Sequence, residues 1–173
     1  ILEILYSCGL RLSEIQQVTL EDINLPSKEI LIRHGKGNDK QRFVLFGEPA
    51  SQALKNYLES ARPEIIAEAR LRKTVSETTA LFINHSGKPL SGRSIQKIVT
   101  KYSERAGLTK GTHTHTLRHT FATHMLEGEA DLRIIQELMG HASPVTTGVY
   151  TSLTKQEARK AYFAHHPRAN IEE

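Results

Sequence analysis

Apolar residues recur at helical spacing from the start of the chain. Ile1, Leu5 and Cys8 form one face, which Gly9 interrupts, and a second helix is predicted to start near Leu12 or Ser13 and to carry Ile15 and Val18. Pro26-Ser27 reads as a turn. Residues 29–34, with Ile30, Leu31 and Ile32, read as a strand, and residues 41–46 as its return, joined by the turn formers Gly35-Lys36-Gly37-Asn38-Asp39. A helix is predicted after Pro49, with Ala53, Leu54, Tyr57 and Leu58 on its buried side. Residues 63–79 are polar with weak periodicity and leave two readings open, a variable connection or an extra short helix. Leu81-Phe82-Ile83 reads as a third short strand ended by the turn Ser86-Gly87-Lys88-Pro89. Helices dominate thereafter. One runs from about Ser91 to Ala106, with Ile95, Ile98, Val99 and Tyr102 on one side. Another includes Leu117, Phe121 and Met125. A third is capped by Asp131 and buries Leu132, Ile135 and Leu138. Ser143-Pro144 suits the cap and first turn of a short helix leading to Val149 and Tyr150, and the tail from Lys155 to Phe163 is again helical.

Composition adds bounds to this outline. At 173 residues, the chain is long enough for one domain with a sizeable core. With 38% hydrophobic and 24% charged residues, it has the make-up of an ordinary folded protein rather than a disordered or fibrous one. A net charge of +4 leans towards a polyanionic partner without establishing one. The single cysteine, Cys8, excludes an intrachain disulfide framework and fits a cytoplasmic setting. No apolar run is long enough to span a bilayer. The opening Ile1-Leu2-Glu3-Ile4-Leu5-Tyr6 reads as a helix already under way, without the pattern of a signal peptide. A fragment is therefore expected, with another domain ahead of Ile1.

Six positions carry the chemistry. Transferring a phosphodiester to a side chain needs a nucleophile, a base for its proton, an acid for the leaving sugar oxygen, and cations on the non-bridging oxygens. Arg118 lies three residues after His115 at a helix start, so both can face one pocket. A guanidinium donates two parallel hydrogen bonds to phosphate, which lysine cannot match. Arg11 follows Gly9, Lys36 sits between two glycines, His141 follows Gly140, and Tyr150 comes nine residues later. Singly, each has an ordinary explanation. The glycines around Lys36 also suggest a phosphate loop, but the first glycine of the nucleotide-binding pattern and the Ser/Thr after lysine are missing. His113, His115 and His119 have ligand-like spacing, yet no zinc pattern accompanies them, and no metal or other cofactor is expected. His119 and His124 read as structural hydrogen-bonders. Tyr162 is a rival nucleophile on an apolar, packed tail helix, and Tyr6, Tyr57 and Tyr102 fall on core faces.

Together these positions carry a resemblance. The stretch from Tyr6 to Glu14 resembles the first arginine box of tyrosine recombinases, the Xer type above all. Residues 35–40 resemble that family's hairpin lysine, and His115 to His124 its histidine–arginine box. Leu138-Met139-Gly140-His141 resembles its second histidine box, and residues 146–151 the nucleophile box. All five blocks agree in order and spacing. The resemblance implies that Tyr150 attacks the scissile phosphate and is left on the 3′ end, so that rejoining needs no ATP. It implies that Arg11, Arg118 and His141 bind phosphate oxygens, that Lys36 is the acid and His115 the proton acceptor, and that Glu14 orients the first arginine. The sequence departs from the pattern at Gly148, where bulkier residues are common, and at Ser152, where a histidine often stands.

The expected fold is α+β and mainly helical, a tyrosine-recombinase catalytic fold over residues 1–173 with a small three-stranded antiparallel sheet. The core-binding domain of the family would precede it. The resemblance further implies double-stranded DNA as partner, a homo- or hetero-tetramer on DNA, cytoplasmic and nucleoid residence, and no membrane. Residues 155–173 would dock into a neighbouring subunit through Ala158, Ala161, Tyr162 and Phe163, so that deleting the tail would weaken assembly while sparing DNA binding by monomers. The need for an activating protein stays open. Two rivals stand beside this: a type IB topoisomerase, with similar chemistry, and a non-catalytic DNA-binding module. Finally, Arg93, Lys97, Lys101 and Arg105 recur every fourth residue on one helix. Such spacing is mildly unfavourable in isolation and is relieved by a polyphosphate partner. Ser91 and Arg93 also match a DNA-contacting position of the family.

Overall fold

A computed structural model describes residues 1–33, 41–74, 78–108, 111–140 and 155–170. The glycine-rich connection at 35–39, the cap at Ser143-Pro144, and Gly148, Val149 and Ser152 lie outside the described residues.

Helix α1 (Leu2–Cys8) ends where Gly9 takes a left-handed conformation, φ 57°. A Cβ at this position would lie 2.6 Å from Cδ1 of Phe121, so the close packing of α1 on α6 (Thr114–Glu127) also requires glycine. Helix α2 (Leu12–Gln17) follows at once. Strands β1 (Ile23–Asn24), β2 (Glu29–Ile32) and β3 (Arg42–Leu45) form an antiparallel sheet in the order β1-β2-β3. Its register pairs Ile30 with Val44 and Ile32 with Arg42. The connection that carries Lys36 therefore joins the ladder at its Ile32–Arg42 end.

The remaining elements are helical. Helix α3 (Glu48–Asn56) has Pro49 in its first turn and passes through a π turn at Tyr57–Ala61 into α4 (Arg62–Leu71). Then come α5 (Gly92–Arg105), α6, α7 (Leu132–Met139) and α8 (Lys155–His165). The mainly helical fold with a small three-stranded antiparallel sheet is as expected. Among the described residues, no helix is long and apolar enough to cross a membrane.

The third strand is not the expected one. Leu81-Phe82-Ile83 joins no sheet, and β1 takes that place. Side chains take up part of the backbone of the 78–83 segment, and isolated bonds to Val18, Leu20 and Leu90 take up more. Arg62 donates to the carbonyls of Thr78, Ala80 and Leu81, and the Tyr57 hydroxyl donates to Leu81 and accepts from the Ile83 N–H. With its groups so paired, the segment has little left for a ladder beyond single bridges to Thr19 and Pro89. Of the two readings for residues 63–79, the helical one holds for most of the stretch. Three residues assigned to inner faces point outward: Ala53, which lies beside the buried Ala50–Leu54 stripe, Tyr102 and Leu132. Tyr102 instead lends its ring to Lys101 and Arg105, which lie over it at 5.9 and 5.5 Å.

Two apolar cores result. The first gathers α1, the inner face of β2 and β3, α3 and α5 around Leu5, Leu10, Ile30, Phe46, Leu81, Ile95 and Val99. The second joins α6, α7 and α8 around Phe121, Met125, Ile135, Leu138 and Tyr162. Helix α8 packs on its own chain. Tyr162 is fully buried and Ala161 nearly so, Lys155 pairs with Glu29 at 2.6 Å, and Arg168 pairs with Glu3 at 2.9 Å. Ala161 and Tyr162 are thus core residues of this chain rather than free docking groups, while Ala158 and Phe163 are only half-buried. Deleting the tail would open the second core, so it cannot be a neutral test of assembly.

Candidate active site

Glu14 is the hub of the site. It is the third residue of α2, and its Oε2 accepts from the Arg11 N–H at 2.8 Å, closing the N-terminus of the helix. Its side chain has no solvent exposure, and an isolated carboxylate there would be costly. Guanidiniums surround it. Arg11 Nη1 donates to Oε1 at 3.0 Å, and Arg42 donates through Nη1 to Oε1 at 2.9 Å and through Nη2 to Oε2 at 3.0 Å. Arg118 Nη1 stands 4.0 Å from Oε2. Burial alone would raise the Glu14 pKa, but the hydrogen bonds and charge of Arg42, and then those of Arg11, outweigh it and hold the carboxyl below its ordinary range.

Arg11 and Arg118 also share a second set of anchors. Arg11 Nη2 donates to the Gly140 carbonyl at 3.1 Å, and Arg118 Nη2 to the Met139 carbonyl at 2.8 Å. Arg118 Nη1 donates to the carbonyl of Gly9. Both arginines therefore meet at the C-terminal end of α7, where unpaired carbonyls and the helix dipole favour cations. Gly140 caps α7 in a left-handed conformation, φ 64°. Arg118 is 4% exposed. Burial first, and then the charge of Arg11, lower its pKa to about 10. It stays protonated at neutral pH, but it sits beside like charges that a bound anion would relieve. The Arg11 side chain, 28% exposed, gives the cluster its opening to solvent.

The candidate positions sort into three groups. Arg11, Glu14 and Arg118 are brought together. His115 is exposed, one turn before Arg118 on α6. Lys36, His141 and Tyr150 lie outside the described residues. His141 directly follows Gly140, the anchor of Arg11, and Lys36 belongs to the connection between β2 and β3. Among the described residues, no group of His, Cys, Asp or Glu could hold a metal ion.

The basic stripe is exposed over its whole length. Arg93, Lys97, Lys101 and Arg105 lie on α5, spanning about 18 Å at 1.5 Å per residue. Ser91 caps this helix, its Oγ accepting from the Ser94 N–H at 3.2 Å. Gln96 ties the stripe to the site. Its Nε2 is 2.7 Å from His113 Nδ1, and its Oε1 accepts from the Thr114 N–H and hydroxyl at 3.3 and 3.2 Å. The start of α6, which carries His115 and Arg118, is thereby pinned to α5.

Sequence reasoning missed Arg42 and Gln96. Arg42 left one signal. By the two-residue period of a strand it shares a face with the buried Val44, which marks a cation pointing inwards. Of the histidines, His124 is a structural hydrogen-bonder, 2.6 Å from the Tyr6 hydroxyl, while His119 is exposed. Tyr162 is buried as expected, and burial pushes its hydroxyl pKa well up, which unfits it as a nucleophile.

The family model described as "Phage integrase family" matches residues 1–157. The chain is 46% identical over 168 residues to the tyrosine recombinase XerD of Staphylococcus saprophyticus, covering 97% of this chain and 54% of that protein. It is likewise 46% identical over 170 residues to the tyrosine recombinase XerC of Oceanobacillus iheyensis, covering 98% and 53%. The chain spans about half the length of the curated relatives it matches. Among solved structures, XerA recombinase superposes with a TM-score of 0.70 at 32% identity, covering 96% of this chain and 57% of that one. The XerH site-specific recombinase bound to its difH substrate in a pre-cleavage complex gives 0.64 at 31% identity, covering 94% and 44%.

Proposed function

The chain belongs to the phage integrase family, and from that premise we propose that it is the catalytic domain of a site-specific tyrosine recombinase. In this reading Arg11 and Arg118 grip the non-bridging oxygens of a DNA phosphate, with His141 as a third donor. Tyr150 attacks the phosphorus, His115 takes the phenolic proton, and Lys36 protonates the departing 5′ oxygen. The product is a 3′-phosphotyrosine, which a 5′ hydroxyl reverses without ATP. Glu14 orients Arg11 and touches no substrate. The observation that carries the reading is the convergence of Arg11 and Arg118 on Glu14 and the end of α7. Two buried-edge guanidiniums held side by side against mutual repulsion suit a phosphate whose charge grows in the transition state.

Double-stranded DNA is the partner, with the exposed stripe of α5 along its backbone. Two observations support this: the related XerH recombinase is bound to difH, and Gln96 links the stripe to the start of α6. A tetramer on two DNA sites completes the reaction, with subunits joined through the segment after Tyr150, where Ala158 and Phe163, only half-buried on their own chain, keep apolar surface for a neighbour. The test is covalent trapping with the full-length protein. Nicked suicide duplexes should yield a protein–DNA adduct with the unaltered protein, and Tyr150→Phe should bind the same DNA and yield none. An adduct that persists in Tyr150→Phe would remove Tyr150 from the role.

A further inference from the structure

Arg42 belongs to none of the groups to which the recombination reading gives a task, yet it holds both oxygens of the carboxylate at the hub of the site. It opens β3 with a side chain 11% exposed. Its two terminal nitrogens grip both oxygens of Glu14, and its Nε donates to the Leu138 carbonyl at 3.2 Å. It also presses on the cap of α7: a Cβ on Gly140 would lie 2.7 Å from its Cζ and Nη1.

We propose that Arg42 is a positioning residue for Arg11, setting the two anchors that aim the Arg11 guanidinium. One anchor is the Glu14 carboxylate. Its plane is fixed by the Arg42 fork, because two parallel bonds leave it no rotation. The other is the Gly140 carbonyl, which is placed by the close fit of that glycine against Arg42. Both terminal nitrogens of Arg42 are engaged by Glu14 and its Nε by the Leu138 carbonyl, so it holds protein groups rather than a phosphate. It acts as a brace between the strand that leaves the Lys36 connection and the turn that leads into His141. A lysine keeps the charge but cannot hold both carboxylate oxygens and the Leu138 carbonyl in one plane.

This inference rests on the recombination reading, and the test separates the two. DNA sites are first selected from random duplexes by the full-length Tyr150→Phe protein and then used as nicked suicide substrates. Single-turnover adduct formation and gel-shift affinity are measured for the unaltered protein, Arg42→Lys, Arg11→Lys and the double variant. Arg42→Lys is expected to bind DNA within about threefold of the unaltered protein while forming adduct about 100-fold more slowly, the scale of a small misplacement of a reacting group. Because Arg42 acts through Arg11, the double variant should be no more than about threefold slower than Arg11→Lys alone. Losses that multiply in the double variant, or an Arg42→Lys that cleaves at the normal rate, overturn the proposal and leave the recombination reading standing. An unaltered protein that forms no adduct overturns both. Should Arg42→Lys fail to fold, as judged by circular dichroism, Arg42→Gln with Glu14→Gln removes both buried charges together. That pair should fold and still cleave slowly, and normal cleavage by it would equally overturn the proposal.

Discussion

Lowering the pH from 7.5 to 5 forces a proton towards a histidine that the fold holds neutral. The ring of His166 stacks on Tyr162 at 4.9 Å and lies 5.1 Å from Tyr6 and 5.4 Å from Phe121. Its Nδ1 accepts from the Arg168 N–H, and its buried Nε2 has no hydrogen-bond partner among the described residues. Burial first, and then the nearby charges of His124 and Arg168, lower its pKa from 6.5 to about 4. Between these two values the unfolded chain binds a proton that the folded chain refuses. The contribution is therefore fully present above pH 6.5 and is lost as pH falls towards 4. Linkage puts the loss at about 2 kcal/mol at pH 5 and about 3 kcal/mol at pH 4. Urea denaturation of the unaltered chain and of His166→Phe at pH 7.5, 6.5, 5.5 and 5 reads this directly. Phenylalanine keeps a ring against Tyr162 but cannot titrate. The variant carries a constant offset from the lost Arg168 contact, so the measure is how the difference between the two proteins changes with pH. That difference should shift by about 2 kcal/mol in favour of the variant by pH 5. A difference constant to within about 0.5 kcal/mol would show that the ring accepts its proton freely and that the joint between α1, α6 and the tail is not closed as described.

Three further outcomes follow from particular contacts. Glu14→Gln leaves the Arg11, Arg42 and Arg118 cluster without its counter-charge and should cost about 3–5 kcal/mol in urea denaturation at pH 7. The Glu14 pKa is lowered in the fold, so the contribution of the carboxylate is present above its ordinary value and is lost as pH falls through the lowered one. The variant should accordingly show less acid sensitivity in that range, and an unchanged acid limb would count against the hub. Gly9→Ala combines a left-handed backbone with a Cβ 2.6 Å from the Phe121 ring, and a loss of about 2–5 kcal/mol is expected from strain plus overpacking; thermal melts showing under about 1 kcal/mol would argue that α1 and α6 can part. Replacing Lys97 and Lys101 with glutamine should flatten the dependence of DNA affinity on salt by about two counterions' worth of slope, and an unchanged slope would take α5 off the DNA backbone.

Legibility in the sequence followed how local each signal was. Arg11, Glu14 and Arg118 stood out because each lies in a short block whose neighbours constrain it, and the fold brings the two arginines to the Glu14 carboxylate. The helices from Ser91 onward could be read from their apolar stripes, because the inward residues Ile95, Val99, Phe121, Met125, Ile135 and Leu138 keep to a 3.6-residue period. Errors fell where long-range pairing decided the outcome. Leu81-Phe82-Ile83 has the composition of a strand, but Arg62 and Tyr57, some twenty residues earlier, occupy its backbone groups. Tyr102 has the spacing of a core residue, yet its cationic neighbours keep its ring at the surface. Arg42 shares a strand face with Val44, but nothing near it in the chain names the carboxylate it meets until α2 brings Glu14 against it.

The arrangement around Glu14 also settles how a site can be rigid and still keep its positive charge. Anchoring an arginine with its own carboxylate fixes the guanidinium but cancels the charge a phosphate would need. Here three guanidiniums share one carboxylate, and most remaining anchors are neutral carbonyls, from Gly9, Leu138, Met139 and Gly140. Arg42, which holds both carboxylate oxygens and is nearly enclosed, is the group that balances Glu14. Arg11 and Arg118 are left with geometry imposed from both sides and a surplus of positive charge, which reaches solvent through the part-exposed Arg11. Were Arg42 replaced by a neutral residue of similar bulk, Glu14 would turn its whole charge on Arg11, and the pocket would lose attraction for phosphate even with both arginines in place.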